Sequence, residues 1–232
     1  MTVQQILARL KKMADPEKIT FKKKKFGVVS QNALGVYHKD LKILAKEIGH
    51  QKILGLALYA TGIYEAKLLC SKILRPKDLT KELVEQWVKD FDNWEICDSF
   101  CMGLVAKSSL ALDRIMVWAS RKEEFEKRAA FATMAAYCMA DKKAENKVYE
   151  QFFPIIKKAA TDNRLYVKKA VNWALRSIGK RNIDLHKQAV KVAQELLLLE
   201  DKAAQWIAKD ALKEFEKEGL NMLDYPRPIY RV

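Results

Sequence analysis

Glycine and proline, the residues that most often interrupt regular structure, are scarce in this 232-residue chain, with 8 and 5 copies. Alternating runs of β-branched residues bounded by Asn-Gly turns, which indicate strands and hairpins, are also absent. Half of the residues are hydrophobic, and Ala, Leu, Lys and Glu, which favour helices, dominate. The chain therefore has enough apolar material for a core, and we expect an all-α fold.

Long hydrophobic segments are missing as well. No apolar run approaches the roughly 20 residues that are needed to span a bilayer. The first five residues, Met1 to Gln5, lack the apolar core of a secretory signal. These absences predict an intracellular, cytoplasmic protein that has no membrane partner.

Histidine and cysteine are too few and too scattered to indicate a metal centre. The chain has three histidines spread along its length, whereas a zinc site needs several ligands at close spacing. The four cysteines are Cys70, Cys97, Cys101 and Cys138, and a reducing compartment keeps such residues as thiols. We expect buried free thiols, no metal and no cofactor.

Acidic residues are outnumbered, because 43 Lys and Arg stand against 29 Asp and Glu, for a formal net charge of +14. Such an excess favours a polyanionic partner, either nucleic acid or an acidic membrane surface. The alternative is a lysine-rich surface that only keeps the protein in solution. A run of four lysines at 22–25 is predicted to lie in a loop between early helices, where it is solvated or contacts phosphate.

Apolar residues return every three or four positions along most of the chain, as they do in amphipathic helices. A clear example comprises Leu41, Leu44, Ala45 and Ile48 and ends at Gly49. Another such stripe, at 79–87, is opened by Asp78 or Thr80 as a candidate cap.

A weak internal repeat accompanies these helices. Similar helical stretches begin at Lys127, Lys168 and Lys209, which lie 41 residues apart. A period near 40 residues that is filled by helix pairs is typical of HEAT and armadillo arrays. We therefore predict a curved superhelix (an α-solenoid) of HEAT-like repeats. It would form a single domain over 1–232, with a short N-terminal helical segment and a C-terminal tail at 219–232, and would be a monomer. A non-repeating helical bundle is the alternative.

The segment at 91–98 is the first candidate site. Asp92 followed by Glu95 resembles a capping box, so a helix is predicted to begin about here. Trp94 and Asp98 are then four residues apart and share one face. Asp98 borders apolar surface, where a carboxylate is costly unless it is paired or used. The alternative is a structural role, in which Asp98 caps or bridges a neighbouring helix.

The segment at 166–180 is the second candidate. Its inward stripe is predicted to comprise Val167, Val171, Ala174, Leu175 and Ile178, and Gly179 to end the helix. Trp173 lies off that stripe and shares its face with one aromatic and three basic residues: Tyr166, Lys169, Arg176 and Lys180. Cations beside an aromatic ring suit a nucleic-acid surface. Alternatively, Trp173 covers the next helix of the stack.

Arg128 is the third candidate. It stands near the start of a helix that is rich in alanine and apolar nearly all round, so that helix is predicted to be buried. Its guanidinium would form a forked contact with a phosphate. Alternatively, it pairs with Glu124 or with another acidic neighbour.

Together these segments resemble the DNA alkylation repair enzymes, the AlkD-like glycosylases, from about residue 26 to about residue 215. The resemblance implies a superhelix of HEAT-like repeats whose basic concave face holds duplex DNA. It also implies hydrolysis of the N-glycosidic bond of cationic N3- or N7-alkylated purines. The motifs occur in the order Trp94-x3-Asp98, Arg128-Ala129-Ala130 and Lys169-Ala170-x2-Trp173-x-Leu175-Arg176.

By this resemblance Asp98 matches the family's catalytic carboxylate, Trp94 and Trp173 its paired aromatics, and Arg128 its DNA-contacting arginine. An alkylated purine is already a good leaving group, so no strong general acid is needed. Asp98 would stabilise the oxocarbenium-like sugar and activate water, and each indole would favour a nearby cation by roughly 0.5–2 kcal/mol. No lysine is singled out as a Schiff-base nucleophile, so we predict monofunctional hydrolysis without strand cleavage.

The chain departs from the family pattern in two places. Asn93 stands where the best-known member has another aromatic residue, and Tyr37-His38 replaces a proline-containing turn of the early repeat. An N-terminal active-site aromatic has no match there. Two other functions therefore stay open, a non-catalytic DNA-binding protein and a HEAT-type adaptor for acidic protein segments.

Overall fold

The computed structural model describes residues 1–227, which fall into two compact units, one from Met1 to Ser109 and one that begins at Leu110. Residues 1–227 contain helices and no strand, so the predicted all-α class is confirmed. The first unit contains α1 (Val3–Lys12), α2 (Pro16–Phe26), α3 (His38–Ile48), α4 (Lys52–Ala60), α5 (Tyr64–Ile73), α6 (Lys81–Lys89) and α7 (Trp94–Gly103). The second contains α8 (Ala111–Trp118), α9 (Glu124–Ala140), α10 (Asn146–Glu150), α11 (Phe152–Ala159), α12 (Leu165–Gly179), α13 (Ile183–Leu197) and α14 (Lys202–Phe215).

In the first unit, α3, α5 and α7 pack side by side in that order, and α4 packs against α5. Three residues of the predicted stripe on α3, Leu41, Leu44 and Ile48, are buried, and Gly49 caps the helix with a φ of 70°. At the start of α6, the hydroxyl of Thr80 accepts a hydrogen bond from the amide of Leu83 at 3.2 Å. Thr80 is therefore the cap, and Asp78 is not.

The four lysines at 22–25 belong to α2, so the prediction of a loop was wrong. Asp15 caps the helix by accepting a hydrogen bond from the amide of Glu17, and Pro16 occupies the first helical position. Gly27 ends the helix in the left-handed conformation, with a φ of 66°. Lysine is itself a good helix former, and these flanking signals mark one continuous helix.

The segment between α2 and α3 is held by a buried carboxylate on α5. Glu65 is 1% exposed. It accepts hydrogen bonds from the backbone amides of Leu34, Gly35 and Val36 at 2.8, 2.7 and 3.2 Å. Three donors compensate the carboxylate for the water that it loses. Glu65 therefore fixes the path of the chain that leads into α3.

In the second unit, α9, α12 and α14 pack side by side in the order α9, α12, α14, and α13 packs against both α12 and α14. Equivalent positions of successive helix pairs are joined by hydrogen bonds. Three of these bonds each link residues 38 positions apart: Lys157 to Glu195, Gln188 to Glu150, and Asn172 to Asp210. Other bonds between these helix pairs span 34 to 43 positions, so the offset stays near the length of one repeat, as stacked repeats produce.

The helices that carry the sequence repeat therefore stack in chain order in this unit, but the 41-residue spacing is not an exact structural register. Lys127, Lys168 and Lys209 lie in α9, α12 and α14, the three helices that pack side by side. Lys127 and Lys168 stand in the first turns of their helices, as predicted, whereas Lys209 lies in the middle of α14. The three lysines therefore lie in neighbouring packed helices, but they do not all stand at the start of their helix.

Helix α12 buries the predicted stripe and ends where the sequence indicated. All five stripe residues are buried, and Gly179 is the last helical residue. The reason for glycine here is space, because a β-carbon at Gly179 would lie 2.5 Å from ring atoms of Phe215. The buried stripe consists of Val167, Val171, Ala174, Leu175 and Ile178.

The C-terminal tail lies against the end of α12. The amides of Leu223 and Tyr225 donate to the carbonyl oxygens of Lys180 and Arg181 at 2.8 and 3.0 Å. Arg181 is fully buried, and its guanidinium lies 3.9 Å from the centroid of the Tyr149 ring. The single domain at 1–232 stays a prediction, and the last part of its tail, 228–232, lies outside the described residues.

The four cysteines are buried, as predicted. Burial raises the pKa of Cys70 and of Cys138 to about 12, so these two thiols are protonated at neutral pH and act as packing groups. In the part of the chain that the structure describes, no helix is long and apolar enough to cross a membrane. The same residues contain no group of His, Cys, Asp and Glu that could hold a metal ion.

Replacing Gly35 by Ala is expected to destabilise the first unit. Gly35 has a φ of +83°, and a β-carbon there would lie 2.1 Å from the carbonyl oxygen of Asp15. The backbone segments at Asp15 and Gly35 cannot easily separate, because the amide of Asp15 donates a hydrogen bond to the carbonyl oxygen of Leu34 at 2.8 Å. We expect Gly35→Ala to lower the free energy of unfolding in urea by about 3 kcal/mol or more.

Gly62→Ala is the matched control. Gly62 also has a positive φ, +71°, but the nearest atom to its added β-carbon would be 3.9 Å away. Only the left-handed conformation is then penalised, by roughly 1–2 kcal/mol. Equal losses for the two variants would contradict the close approach at Gly35.

Candidate functional site

Helix α7 begins where the sequence indicated, but its cap is Asn93. The side-chain oxygen of Asn93, which is 2% exposed, accepts hydrogen bonds from the amides of Glu95 and Ile96 at 3.0 and 3.2 Å. Asp92 accepts a bond from the Asn93 amide group at 2.7 Å. The predicted capping box of Asp92 and Glu95 was therefore wrong. Asn93 has a structural task at the position where the family resemblance led us to expect an aromatic ring.

Trp94 and Asp98 lie one turn apart on α7, as predicted. The indole Nε1–H of Trp94 donates to the carbonyl oxygen of Phe26 at 2.9 Å, which ties the start of α7 to the end of α2. Trp94 and Asp98 are both half-buried. The structure therefore places a fixed indole and a partly shielded carboxylate on neighbouring turns of one helix, within one unit.

A buried charged cluster surrounds Glu95, next to Trp94. Glu95 is 8% exposed. Lys22 places its ammonium 3.0 Å from both carboxylate oxygens, and the Nε2 atom of His38 lies 2.7 Å from one of them. The hydroxyl of Tyr64 donates to the other. We call these four residues, Lys22, His38, Tyr64 and Glu95, the Glu95 cluster.

The Glu95 cluster keeps its carboxylate ionised. Burial, the largest effect, would raise the pKa of Glu95, but the hydrogen bonds from His38 and Tyr64 and the charge of Lys22 outweigh it and lower the pKa to about 2. Burial and the Glu95 carboxylate in turn raise the pKa of Tyr64 far above its usual range. The hydroxyl of Tyr64 therefore remains a donor at any physiological pH.

The cluster fixes the start of α7 relative to three other helices. His38 is the first residue of α3, Tyr64 the first of α5, and Glu95 the second of α7. Helix N-termini carry partial positive charge, which favours an anion placed among them. The orientation of Trp94 and Asp98 within this unit therefore depends on the buried carboxylate that stands between them in sequence.

Sequence reasoning missed this cluster, although it singles out three of its four members for other reasons. Lys22 belongs to the lysine run that is predicted to be a loop, His38 to a departure from the family pattern, and Glu95 to the predicted capping box. No sequence pattern selects Tyr64. The available signal was Glu95 itself, an acidic residue directly before the apolar Ile96 and Cys97 in a helix start. Its partners are 31 or more residues away in sequence, so the local pattern could not identify them.

In the second unit, Arg128 of α9 is buried, with 6% exposure, in agreement with the prediction that this alanine-rich helix is buried. Its guanidinium donates to the carbonyl oxygen of Tyr166 at 2.7 Å. The carboxylate of Glu124 accepts from the amide of Tyr166 at 3.1 Å, and the rings of Phe125 and Tyr166 are 5.3 Å apart. The structure thus brings Arg128 and Tyr166 together at the point where the start of α12 meets α9.

The polar face of α12 carries two cations that are already paired. Arg176 lies 3.5 Å from Asp210 and 3.9 Å from Glu214, and Lys180 lies 3.0 Å from Glu214. Hydrogen bonds from Lys217 and Lys180 lower the pKa of Glu214 to about 2, so this acid is ionised at neutral pH. The charges of Arg176 and Lys180 are therefore largely neutralised by α14.

Trp173 and Lys169 also lie on α12. Trp173 is half-buried and Lys169 is exposed. Trp94 and Asp98 belong to the first unit, and Arg128 and the candidate residues of α12 belong to the second. The proposed roles of all these residues stay predictions.

The model of the DNA alkylation repair enzyme family matches residues 6–215 of this chain. The chain belongs to this family. No curated protein matches it.

Solved structures agree with the fold. A protein described as one of "a new family of proteins related to the HEAT-like repeat DNA glycosylases with affinity for branched DNA structures" is similar to this chain with a TM-score of 0.76. The two are 19% identical, and the match covers 98% of this chain and 100% of the other. At this identity the likeness shows the HEAT-like-repeat fold alone.

Two other structures resemble the chain less. An engineered protein has a TM-score of 0.37 and 13% identity over 77% of this chain and 91% of its own. A designed armadillo repeat protein has a TM-score of 0.36 and 13% identity over 75% and 91%. Both likenesses are too weak to carry an argument.

Removing the charge of Glu95 is expected to destabilise the first unit and to change its pH dependence. Because the folded pKa of about 2 lies below the unfolded value near 4.3, the ionised carboxylate stabilises the fold above pH 4–5. That stabilisation, on the order of 3 kcal/mol, is lost as the pH falls towards 2. Urea unfolding of Glu95→Gln should show a large loss at pH 7 and a flatter profile between pH 5 and 2.

Glu47→Gln is the control, since Glu47 also forms an ion pair, with Arg9, but is exposed. Its stability should stay close to that of the parent. If Glu95→Gln were as stable as Glu47→Gln at pH 7, the buried cluster would not be holding α7.

Proposed function

We propose that this chain is a monofunctional DNA glycosylase that hydrolyses the N-glycosidic bond of cationic N3- or N7-alkylated purines in duplex DNA. The observation that carries the proposal is the placement of Asp98 one turn after Trp94 on α7, whose start is fixed by Asn93 and Glu95. Membership of the DNA alkylation repair family and the net charge of +14 support it.

The proposed hydrolysis requires a carboxylate and aromatic rings, and no strong general acid. The alkylated base leaves as a neutral purine and the sugar becomes oxocarbenium-like. The carboxylate of Asp98 stabilises that cation and orients or deprotonates the attacking water. The indoles of Trp94 and Trp173 favour the cationic base and the cationic transition state. We assign no covalent lysine intermediate, so the strand is not cleaved.

In the second unit, we assign DNA binding to the exposed face of α12 and to Arg128 of α9. Lys169 contacts phosphate, and Tyr166 and Trp173 contact sugar or base. Arg128 contributes to binding by positioning Tyr166. Arg176 and Lys180 contribute the positive charge that Asp210 and Glu214 do not neutralise. We further propose that the protein acts without a cofactor, as a monomer, in the cytoplasm with access to chromosomal DNA.

A second function has its own support. The protein of similar fold is described as having affinity for branched DNA structures, and it matches this chain over 98% of its length. In addition, Asn93 caps a helix where the resemblance led us to expect an aromatic residue. A non-catalytic member that binds branched DNA would keep the fold and the cations and would not need Asp98.

Asp98→Asn is the decisive variant for the first function. The substitution removes the negative charge that stabilises the sugar cation and keeps the shape of the side chain. We expect release of 7-methylguanine from methylated DNA to fall by at least about 100-fold. Duplex affinity, measured by fluorescence anisotropy, should change little.

Asp184→Asn, an exposed carboxylate at the start of α13, is the charge-matched control and should release base like the parent. Equal release by Asp98→Asn and the parent would remove Asp98 from the mechanism. A parent protein that releases no base but binds a four-way junction more tightly than a linear duplex would support the branched-DNA function instead.

Lys169→Ala and Arg176→Ala should affect DNA binding differently. Lys169 is exposed, whereas Arg176 is held by Asp210 and Glu214. If Lys169 contacts one phosphate, its loss lowers the slope of log K against log salt by about 1. Loss of Arg176 should lower the slope by clearly less. Unchanged slopes for both variants would show that this face of α12 does not contact DNA.

A further inference from the structure

A basic cavity in the first unit lies apart from the residues assigned so far. It has a volume of about 450 Å³ and lies where the C-terminal half of α3 meets α5. No acidic residue is among its lining residues, which are Lys42, Ala45, Lys46, Gly49, His50 and Lys72. We call this the lysine pocket.

The three lysines of the pocket are not neutralised. Within residues 1–227, neither Lys42, Lys46 nor Lys72 has an ion pair, whereas Lys18 and Lys22 of the same unit both do. Glu47, the acidic residue next to Lys46 in sequence, is held by Arg9. The C-terminus of α3 contributes roughly half a negative charge, which offsets only a small part of three cations.

Lys72 shows the consequence of this crowding. It is half-buried on α5. Burial and then the charge of Lys42 lower the pKa of its ammonium, while a smaller effect of the Glu95 charge acts in the opposite direction. A cation held in this way gains stability from an anion that enters the pocket. Phosphate oxygens, which accept several hydrogen bonds and carry full charge, are the ligands that clustered lysines favour.

The pocket also lies close to the proposed catalytic helix. Lys72 follows Ser71, whose hydroxyl is hydrogen-bonded to that of Ser99 on α7 at 2.7 Å. Ser99 is the residue directly after Asp98. The pocket therefore includes a residue of the helix that packs directly against α7.

We propose that Lys42, Lys46 and Lys72 bind a backbone phosphate of the DNA whose alkylated base faces Asp98. This assignment rests on the proposed binding of DNA by this chain and adds a contact within the first unit. His50 closes the rim of the pocket, and its Nδ1 atom lies 3.4 Å from the carbonyl oxygen of Ile73 on α5.

The test compares two triple variants with the same change in charge. The pocket variant carries Lys42→Gln, Lys46→Gln and Lys72→Gln. The control variant carries three exposed lysines of α11 and α13 changed in the same way: Lys158→Gln, Lys187→Gln and Lys191→Gln. Binding of a 20-base-pair linear duplex (a probe length of about two helical turns) is measured by anisotropy between about 50 and 200 mM salt.

We expect the pocket variant to lower the salt slope by about 1 per phosphate lost and the control variant to leave it nearly unchanged. The pocket variant should unfold in urea no more easily than the parent, because it relieves repulsion. Equal slopes for the two triple variants, or a pocket variant that binds like the parent, would overturn the assignment.

The experiment separates this site from the glycosylase. If the parent releases 7-methylguanine and both triple variants keep the parent's salt slope, the pocket assignment fails and the enzymatic function stands. If the parent releases no base but the pocket variant alone loses slope, the phosphate site stands and the enzymatic function fails. A parent that binds no DNA would overturn both.

Discussion

A carboxylate that loses its water on burial must receive donors from the protein, or it takes up a proton. Glu95 receives them from three other helices, through Lys22, His38 and Tyr64. Because these donors are far apart in sequence, the contact exists only when α2, α3, α5 and α7 are all in place. The two candidate catalytic residues of α7 owe their fixed orientation within the first unit to this one charged contact.

The same reasoning decides which of the many cations are available to a ligand. A net charge of +14 does not locate a binding site, because a cation attracts an anion strongly only where no neighbouring acid neutralises it. Arg176 and Lys180 face acids on α14, whereas no acidic residue is among those that line the pocket of Lys42, Lys46 and Lys72. Residues that look alike in the sequence therefore differ in what they can bind.

Much of the fold followed from local patterns. The stripes on α3 and α12, the helix starts at Thr80 and near Trp94, and the repeat were predicted because periodicity and caps act over one or two turns. The lysine run is helical, not a loop, because Asp15 and Pro16 begin α2 and Gly27 ends it. The cap of α7 was assigned to the wrong residue, since Asp92 and Asn93 are both good caps and the choice depends on packing.

Patterns along the chain were enough to predict the all-α class, the repeat and the one-turn spacing of Trp94 and Asp98, because each depends on neighbours within a few residues or on a regular period. Helix packing, by contrast, is what buries and ionises Glu95, brings Arg128 to a backbone carbonyl and leaves some lysines without an ion pair. These properties depend on distances between atoms of different helices. Such distances are set by packing, and no pattern along the chain contains them.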